Sequence, residues 1–368
     1  MRLFCACPLV IAFGKKIIPL PKIQKRKAKL FFCMKKITKI GTVRNLISWP
    51  SFHLVYEWED VLKEELHLKM RYRSKYLKDI NEIIARLSRN LSFFYIPSCF
   101  YSKNKCMLTW DLAAEIWDRY DNRSNVIPCV IDFFLQRSAI RNFSAAYSRN
   151  PFVLISSAEA YQFLLGKTPN LIFHYPLSIS DKYRIDSTTK FSKEYDIVLF
   201  GRQNPVLNEY LATYMKSHPD CICVSEDENK KFHYYSSTGD YIGDINTREQ
   251  YINLMRKSRI GLYSTPGIDG GEARTNGFNQ VTPKFLELLA CGCHVIARYK
   301  ENPDTDFYRL SDFSPNISSY EEFEKRMDYC RSCEVDVEVY STYLEQHYTS
   351  KRVLLLNDIM NQYNQMRK

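Results

Sequence analysis

The run Thr282-Pro283-Lys284-Phe285-Leu286-Glu287-Leu288-Leu289-Ala290-Cys291-Gly292-Cys293-His294-Val295-Ile296-Ala297 sets one carboxylate, Glu287, among apolar neighbours on a short helix. A carboxylate there can accept two hydroxyls of a sugar ring at once, which is the chemistry of holding a nucleotide ribose. Such burial is costly unless the charge is paired, so the competing reading is a salt bridge with a nearby Lys or Arg. Lys284, in the first turn, can neutralise phosphate charge where a helix start already favours anions. Gly201-Arg202 follows an apolar run. The glycine lets backbone approach a phosphate, and the arginine can contact a diphosphate bidentately. Ser264-Thr265-Pro266-Gly267 with Asp269-Gly270-Gly271 offers backbone amides to an anion. Asn279 can hydrogen-bond a sugar hydroxyl or cap its own loop. Upstream, His53 has the near-neutral pKa that deprotonating a hydroxyl acceptor requires. Asp132, at the end of a buried run, can orient or deprotonate the same acceptor, or cap the next helix. Trp49, Tyr56 and Trp58 suit either sugar stacking or a core. No His/Asp grouping with ligand spacing stands out, so no metal is expected.

The elements that must position these groups alternate strand with helix. Pro283 suits a first helical position with Thr282 as N-cap, and Gly292 suits the reversal into the strand that begins at His294. In the first half, strands are expected near Ile37, at Leu91–Pro97, Cys106–Trp110, Val126–Phe134, Phe152–Ile155 and Leu171–Tyr175. Helices are expected at Tyr56–Leu68, Arg71–Leu91, Leu112–Tyr120, Arg137–Tyr147 and Ala158–Leu165. After the polar stretch 176–194, strands are expected at Tyr195–Gly201, Cys221–Val224 and Ile260–Ser264. Helices are expected at Pro205–Lys216, Arg248–Ser258, Tyr320–Tyr329 and Tyr340–Met366, with 225–246 a polar excursion and 265–280 a glycine-rich loop. This alternation implies doubly wound parallel sheets.

The Thr282–Ala297 block resembles the donor-binding signature of glycosyltransferases with the GT-B architecture, specifically the group 1 (GT4-like) family. In that family a glutamate-bearing helix precedes an A-x-G turn, here Ala290-Cys291-Gly292, and a P/H-V-I strand, here His294-Val295-Ile296. The family's fuller pattern carries another glutamate eight positions before the second; Asn279 stands there, which marks a divergent member. The resemblance implies an α/β protein of two Rossmann-like doubly wound parallel-sheet domains facing a cleft. The expected divisions are an extension 1–33 outside the fold, an acceptor-binding domain 34–178, a linker 179–194, a nucleotide-sugar domain 195–345, and a helix 346–368 returning to the first domain. The implied activity is a hexosyltransferase type of transfer from a nucleotide-diphosphate sugar to a glycan or lipid-linked acceptor. Its setting would be cell-surface polysaccharide biosynthesis in the cytoplasm, at the inner face of the cell membrane. The donor is a co-substrate, and no cofactor is implied. Gly201, Arg202, Ser264, Thr265, Gly270, Gly271, Asn279, Thr282, Lys284 and Glu287 would bind the donor, with His53 and Asp132 as catalytic candidates. The alternatives are a non-catalytic nucleotide-sugar-binding or scaffold protein and a GT-B-fold epimerase.

Composition sets the limits. The 368 residues suffice for two domains. The net charge of +11 suggests anionic partners, but the basic residues are spread apart from Lys15–Lys36 and form no nucleic-acid motif. That basic run admits a membrane-surface segment as the alternative reading of residues 1–33. The 12 cysteines sit largely in apolar runs, as reduced thiols do. Cys330-Arg-Ser-Cys333 has no second pair to complete a zinc ribbon. No run of about 18 apolar residues is present to span a membrane.

Overall fold

Apolar runs with alternating side chains form strands wherever both faces can be covered. In the computed structural model, residues 34–48, 52–74, 76, 102–113 and 122–368 are described, and Met34–Lys368 belong to one unit. Among the described residues the strands form two six-stranded sheets. The first is parallel throughout, in the order β2-β1-β3-β4-β5-β6. It comprises β1 (Lys36–Thr42), β2 (Lys69–Tyr72), β3 (Lys105–Ala113), β4 (Val126–Asp132), β5 (Val153–Ile155) and β6 (Ile172–His174). The second has the order β10-β9-β8-β7-β11-β12, from β7 (Tyr195–Val198), β8 (Cys223–Glu226), β9 (His233–Ser236), β10 (Tyr241–Asp244), β11 (Ser258–Ser264) and β12 (His294–Arg298).

Side-chain alternation distributes each sheet over two cores. Ile127, Cys129 and Ile131 of β4 pack with Trp58 and Leu62 of the helix His53–Glu65, whereas Val130 packs with Phe143 and Leu164 on the opposite face. In β12, Val295 and Ala297 meet Leu286 and Leu289 of the helix Lys284–Ala290, while Ile296 meets Leu207, Leu211 and Phe323. Local signals end the helices as well. Asn204 caps the helix Pro205–Ser217 by accepting from the amides of Val206 and Leu207 at 3.0 and 3.1 Å. Gly292 turns the chain at φ +65°, and a Cβ there would lie 2.3 Å from the Phe191 ring.

The two lobes interlock. The helix Thr349–Met366 inserts Val353, Leu356, Ile359, Met360 and Tyr363 into the first lobe's core. The segment expected as a linker is itself packed, with Ile179, Tyr183 and Ile185 buried in the second lobe's core. Among the described residues no helix is long and apolar enough to cross a membrane.

Several expectations need correction. The excursion 225–246 is the antiparallel hairpin β9–β10, so the second sheet is mixed. Its alternating Tyr234 and Ser236 are buried, a period-two signal hidden by polar composition. The helix near the C-terminus is two helices, Val337–Leu344 and Thr349–Met366. The helix Lys284–Ala290 starts one residue late: Pro283 occupies the N-cap, and the Thr282 side chain caps nothing. Tyr72 and its neighbours pair as β2 where a helix from Arg71 was expected, and Leu112–Ala113 complete β3. Residues 1–33, Trp49, the strand at 91–97, and most of the helices expected at 71–91 and 112–120 lie outside the described residues.

Candidate active site

In open parallel sheets, ligands bind beyond the carboxyl ends of the strands. A cavity of about 430 Å³ lies there in the second lobe. Its floor comes from Phe200, Gly201 and Arg202 after β7, Ser264 at the end of β11, and Thr282, Pro283, Lys284 and Glu287. Leu54, on the first lobe's helix His53–Glu65, reaches the same cavity. Six of the twelve residues singled out above therefore meet in one place: Gly201, Arg202, Ser264, Thr282, Lys284 and Glu287.

Glu287 is both cavity lining and ion-pair partner. Its side chain is 4% exposed, and Arg248 Nη2 donates to its Oε1 at 2.6 Å. The Tyr251 hydroxyl donates to Oε2 at 3.3 Å. Arg248 in turn approaches Glu57 Oε1 on the first lobe's helix at 3.4 Å, and Tyr183 donates to that same oxygen at 2.6 Å. Lys182 also pairs with Glu57. Burial works against charge on Arg248, but the carboxylates of Glu287 and Glu57 more than offset it and hold the guanidinium protonated. Sequence reading missed Arg248 and Glu57, which lie 39 and 230 positions from Glu287. The sole local hint was the capping box of Thr247 and Gln250, which fixes the start of the helix Arg248–Arg256.

Lys284 donates from Nζ to the Phe200 carbonyl at 2.9 Å. Burial lowers its pKa to about 8, so the ammonium sits under-solvated at the cavity wall. Among the described residues the backbone amides of Gly201 and Arg202 have no acceptor.

The glycine-rich loop does different work from that expected. The amide of Gly270 already donates to Glu272 Oε2 at 2.9 Å, and that of Gly271 to the Ile268 carbonyl at 3.0 Å. Neither is left for an anion. Asn279 is buried, and its Oδ1 accepts from Thr265 Oγ1 at 3.2 Å and the Gly267 amide at 3.1 Å. Asn279 and Thr265 thus hold the loop's shape and lie outside the cavity lining. The loop's far end docks on the first lobe. Phe278 packs edge-on to Phe133 at 5.1 Å, and the Asn279 amide donates to Glu159 Oε2 at 2.8 Å.

Asp132, at the carboxyl end of β4, is opposed by Arg274 of this loop and by Arg202. Burial lifts its pKa to about 6 even though both arginines pull it down. His53 is half-buried at the start of its helix, 5.7 Å from the Tyr56 ring, next to cavity-lining Leu54. Trp58 is core: it is 2% exposed, donates to the Ser178 carbonyl at 3.0 Å and packs at a 46° tilt against Trp110. The sequence holds one D-x-D spacing, Asp304-Thr305-Asp306. Asp304 is buried and accepts from Ser157 Oγ and from the amides of Ala158 and Glu159, so it caps a first-lobe helix. The described residues contain no grouping of His, Cys, Asp and Glu that would hold a metal ion.

Two Rossmann-like lobes, with a cavity at the carboxyl edge of the second, define the GT-B fold. Among solved structures, the chain is similar to AviGT4, a glycosyltransferase involved in avilamycin A biosynthesis. The identity is 11% and the TM-score 0.51, over 89% of this chain and 98% of that one. It is also similar to the pneumococcal O-GlcNAc transferase GtfA solved with UDP and GlcNAc, at 10% identity and TM-score 0.47, over 72% of this chain and 58% of that one. TarM matches at 12% identity and TM-score 0.45, over 71% of this chain and 55% of that one. The chain thus spans little more than half of the latter two. No protein-family model and no curated protein sequence matches the chain.

Proposed function

We propose that this chain is a divergent glycosyltransferase of the group 1 type. It moves a sugar from a nucleotide-diphosphate sugar to a hydroxyl of a glycan or lipid-linked acceptor, in cell-surface polysaccharide assembly. The observation that carries the reading is the convergence of Glu287, Lys284, Arg202 and Gly201 on one cavity. Glu287 accepts the ribose hydroxyls, its oxygens aimed by Arg248 and Tyr251. Arg202, Lys284 and the backbone amides of Gly201 and Arg202 bind the diphosphate. These preorganised donors also meet the negative charge that develops as the bond from the anomeric carbon to the diphosphate breaks, a role that requires no metal. Asp132 takes the proton of the acceptor hydroxyl as its oxygen bonds to the anomeric carbon. A pKa of about 6 suits that task near neutral pH. His53 is the second candidate for the base.

The test is incubation with a panel of nucleotide sugars, with and without acceptor glycans. Free nucleoside diphosphate released only with acceptor supports transfer. Release without acceptor, together with an altered sugar, marks an epimerase, and binding without turnover marks a sugar-nucleotide-binding protein. Glu287→Gln keeps side-chain volume beside Arg248 and weakens the acceptor for the ribose diol. Donor affinity is expected to fall by roughly 2 kcal/mol, read as lost thermal stabilisation by the donor. Wild-type stabilisation in that variant removes the ribose assignment.

A further inference from the structure

The hairpin end of the cavity carries groups that the phosphate and ribose assignments leave unused. β8 ends at Glu226, and the chain returns into β9 through Phe232. Both residues line the cavity, with Tyr234 and Ile245 beside them. Phe232 is 39% exposed, a large apolar side chain in the cavity lining. Its backbone stands at φ +68°, a conformation that an aromatic residue adopts only when its surroundings hold it there. Two bonds do so. Glu226 Oε1 accepts from the Phe232 amide at 2.5 Å, and the Ile245 amide donates to the Phe232 carbonyl at 2.8 Å.

The exposed Glu226 therefore holds the Phe232 backbone with one oxygen and has capacity left on the other. Among the described residues Oε2 makes no hydrogen bond. An ionised carboxylate offers acceptors only, so its counterpart must present donors. Guanine alone among the common bases sets two donors side by side on its pairing edge, N1–H and the N2 amino group. Uracil flanks one N–H with two carbonyl oxygens, which a carboxylate repels. Adenine and cytosine each set their amino group next to a bare ring nitrogen.

We propose that this end of the cavity is a base subsite selective for guanine, with Phe232 stacking on the purine and Glu226 accepting from N1–H and N2–H. The proposal rests on the donor-site reading above and narrows its substrate class to guanosine-diphosphate sugars. The aromatic ring supplies sequence-tolerant stacking, and the carboxylate supplies discrimination, because the wrong base leaves it unpaired against an oxygen or a lone pair.

The test is isothermal titration of the full chain with GDP, UDP, ADP, CDP and inorganic pyrophosphate. GDP is expected to bind about tenfold or more tightly than the other three diphosphates, the size of one charge-assisted hydrogen bond. Glu226→Gln retains an oxygen for the Phe232 amide but loses the charge. It is expected to weaken GDP by about tenfold, with UDP bound no more weakly than before and the unliganded melting temperature preserved. Equal affinities, a preference for UDP, or a GDP preference untouched by Glu226→Gln would each overturn the guanine subsite while leaving the donor site standing. Failure of every diphosphate, pyrophosphate included, would remove both.

Discussion

Glu287 shows that a buried, ion-paired carboxylate can still line a cavity. Arg248 and Tyr251 stabilise its charge and aim it, while it still faces the cavity. Lys284 is held differently, by a single carbonyl and a burial that favours losing its proton. The two titrating groups set a pH profile. In the proposed mechanism Asp132 would work as a base only when deprotonated, so kcat/KM is expected to rise with pH through about 6. In the proposed donor site Lys284 would bind the diphosphate only when protonated. Its free-state pKa is the depressed one, so donor affinity is full below about 8 and falls as pH rises through that value. A bell-shaped profile with both limbs is the expected outcome. Lys284→Met should abolish the alkaline limb and leave the acid limb in place.

The helix Lys284–Ala290 and the strands beneath it act as a single positioning device. Gly261 of β11 lies directly under Leu288, and a Cβ there would sit 2.1 Å from a Leu288 methyl that is itself fully packed. Gly261→Ala must therefore lift the helix that carries Lys284 and Glu287. A cost of about 1–3 kcal/mol in a denaturant melt is expected, with donor affinity reduced although no donor-contacting residue has changed. Unaltered affinity would mean that the strand tolerates the methyl by moving elsewhere. The loop 265–280 is a second positioning device. Gly267 and Gly271 serve close approach, as where a Cβ at Gly267 would meet the Phe278 carbonyl at 2.3 Å, while Gly270 and Gly277 turn the chain at positive φ, and the Gly270 amide is spent on Glu272. It brings the charge of Arg274 to bear on Asp132 and docks Phe278 on the first lobe.

At the scale of the molecule, the charged chain Glu57–Arg248–Glu287 links the first lobe's helix to the proposed donor site. Arg248 is the only cation paired with both carboxylates among the described residues, and Glu57 Oε2 is buried without a hydrogen bond. Removing the guanidinium leaves two buried carboxylates under-compensated. Arg248→Ala is expected to cost about 3–5 kcal/mol of stability, more than Glu287→Gln, as read by chemical denaturation. Losses of equal size would mean that the network adds nothing beyond one ion pair.

The sequence alone determined the parts whose causes are local. The apolar helix with its single carboxylate, the Gly292 reversal, the β12 strand and the Asn204-capped helix follow from patterns within about a dozen residues. Four of the residues singled out for phosphate and ribose contact, Gly201, Arg202, Lys284 and Glu287, met in one cavity because each sits at a strand's carboxyl end or on the helix just beyond it. Long-range pairing was decided only by tertiary structure. Arg248 and Glu57 are ordinary surface-type charges until the fold buries them beside Glu287 and each other. Gly270, Gly271, Thr265 and Asn279 looked like ligand groups because glycines and amides suit anions, but contacts formed by folding consumed those amides first. The hairpin that carries Glu226 and Phe232 was hidden by its polar composition, since its strands are stabilised by cross-strand pairing that no local window contains.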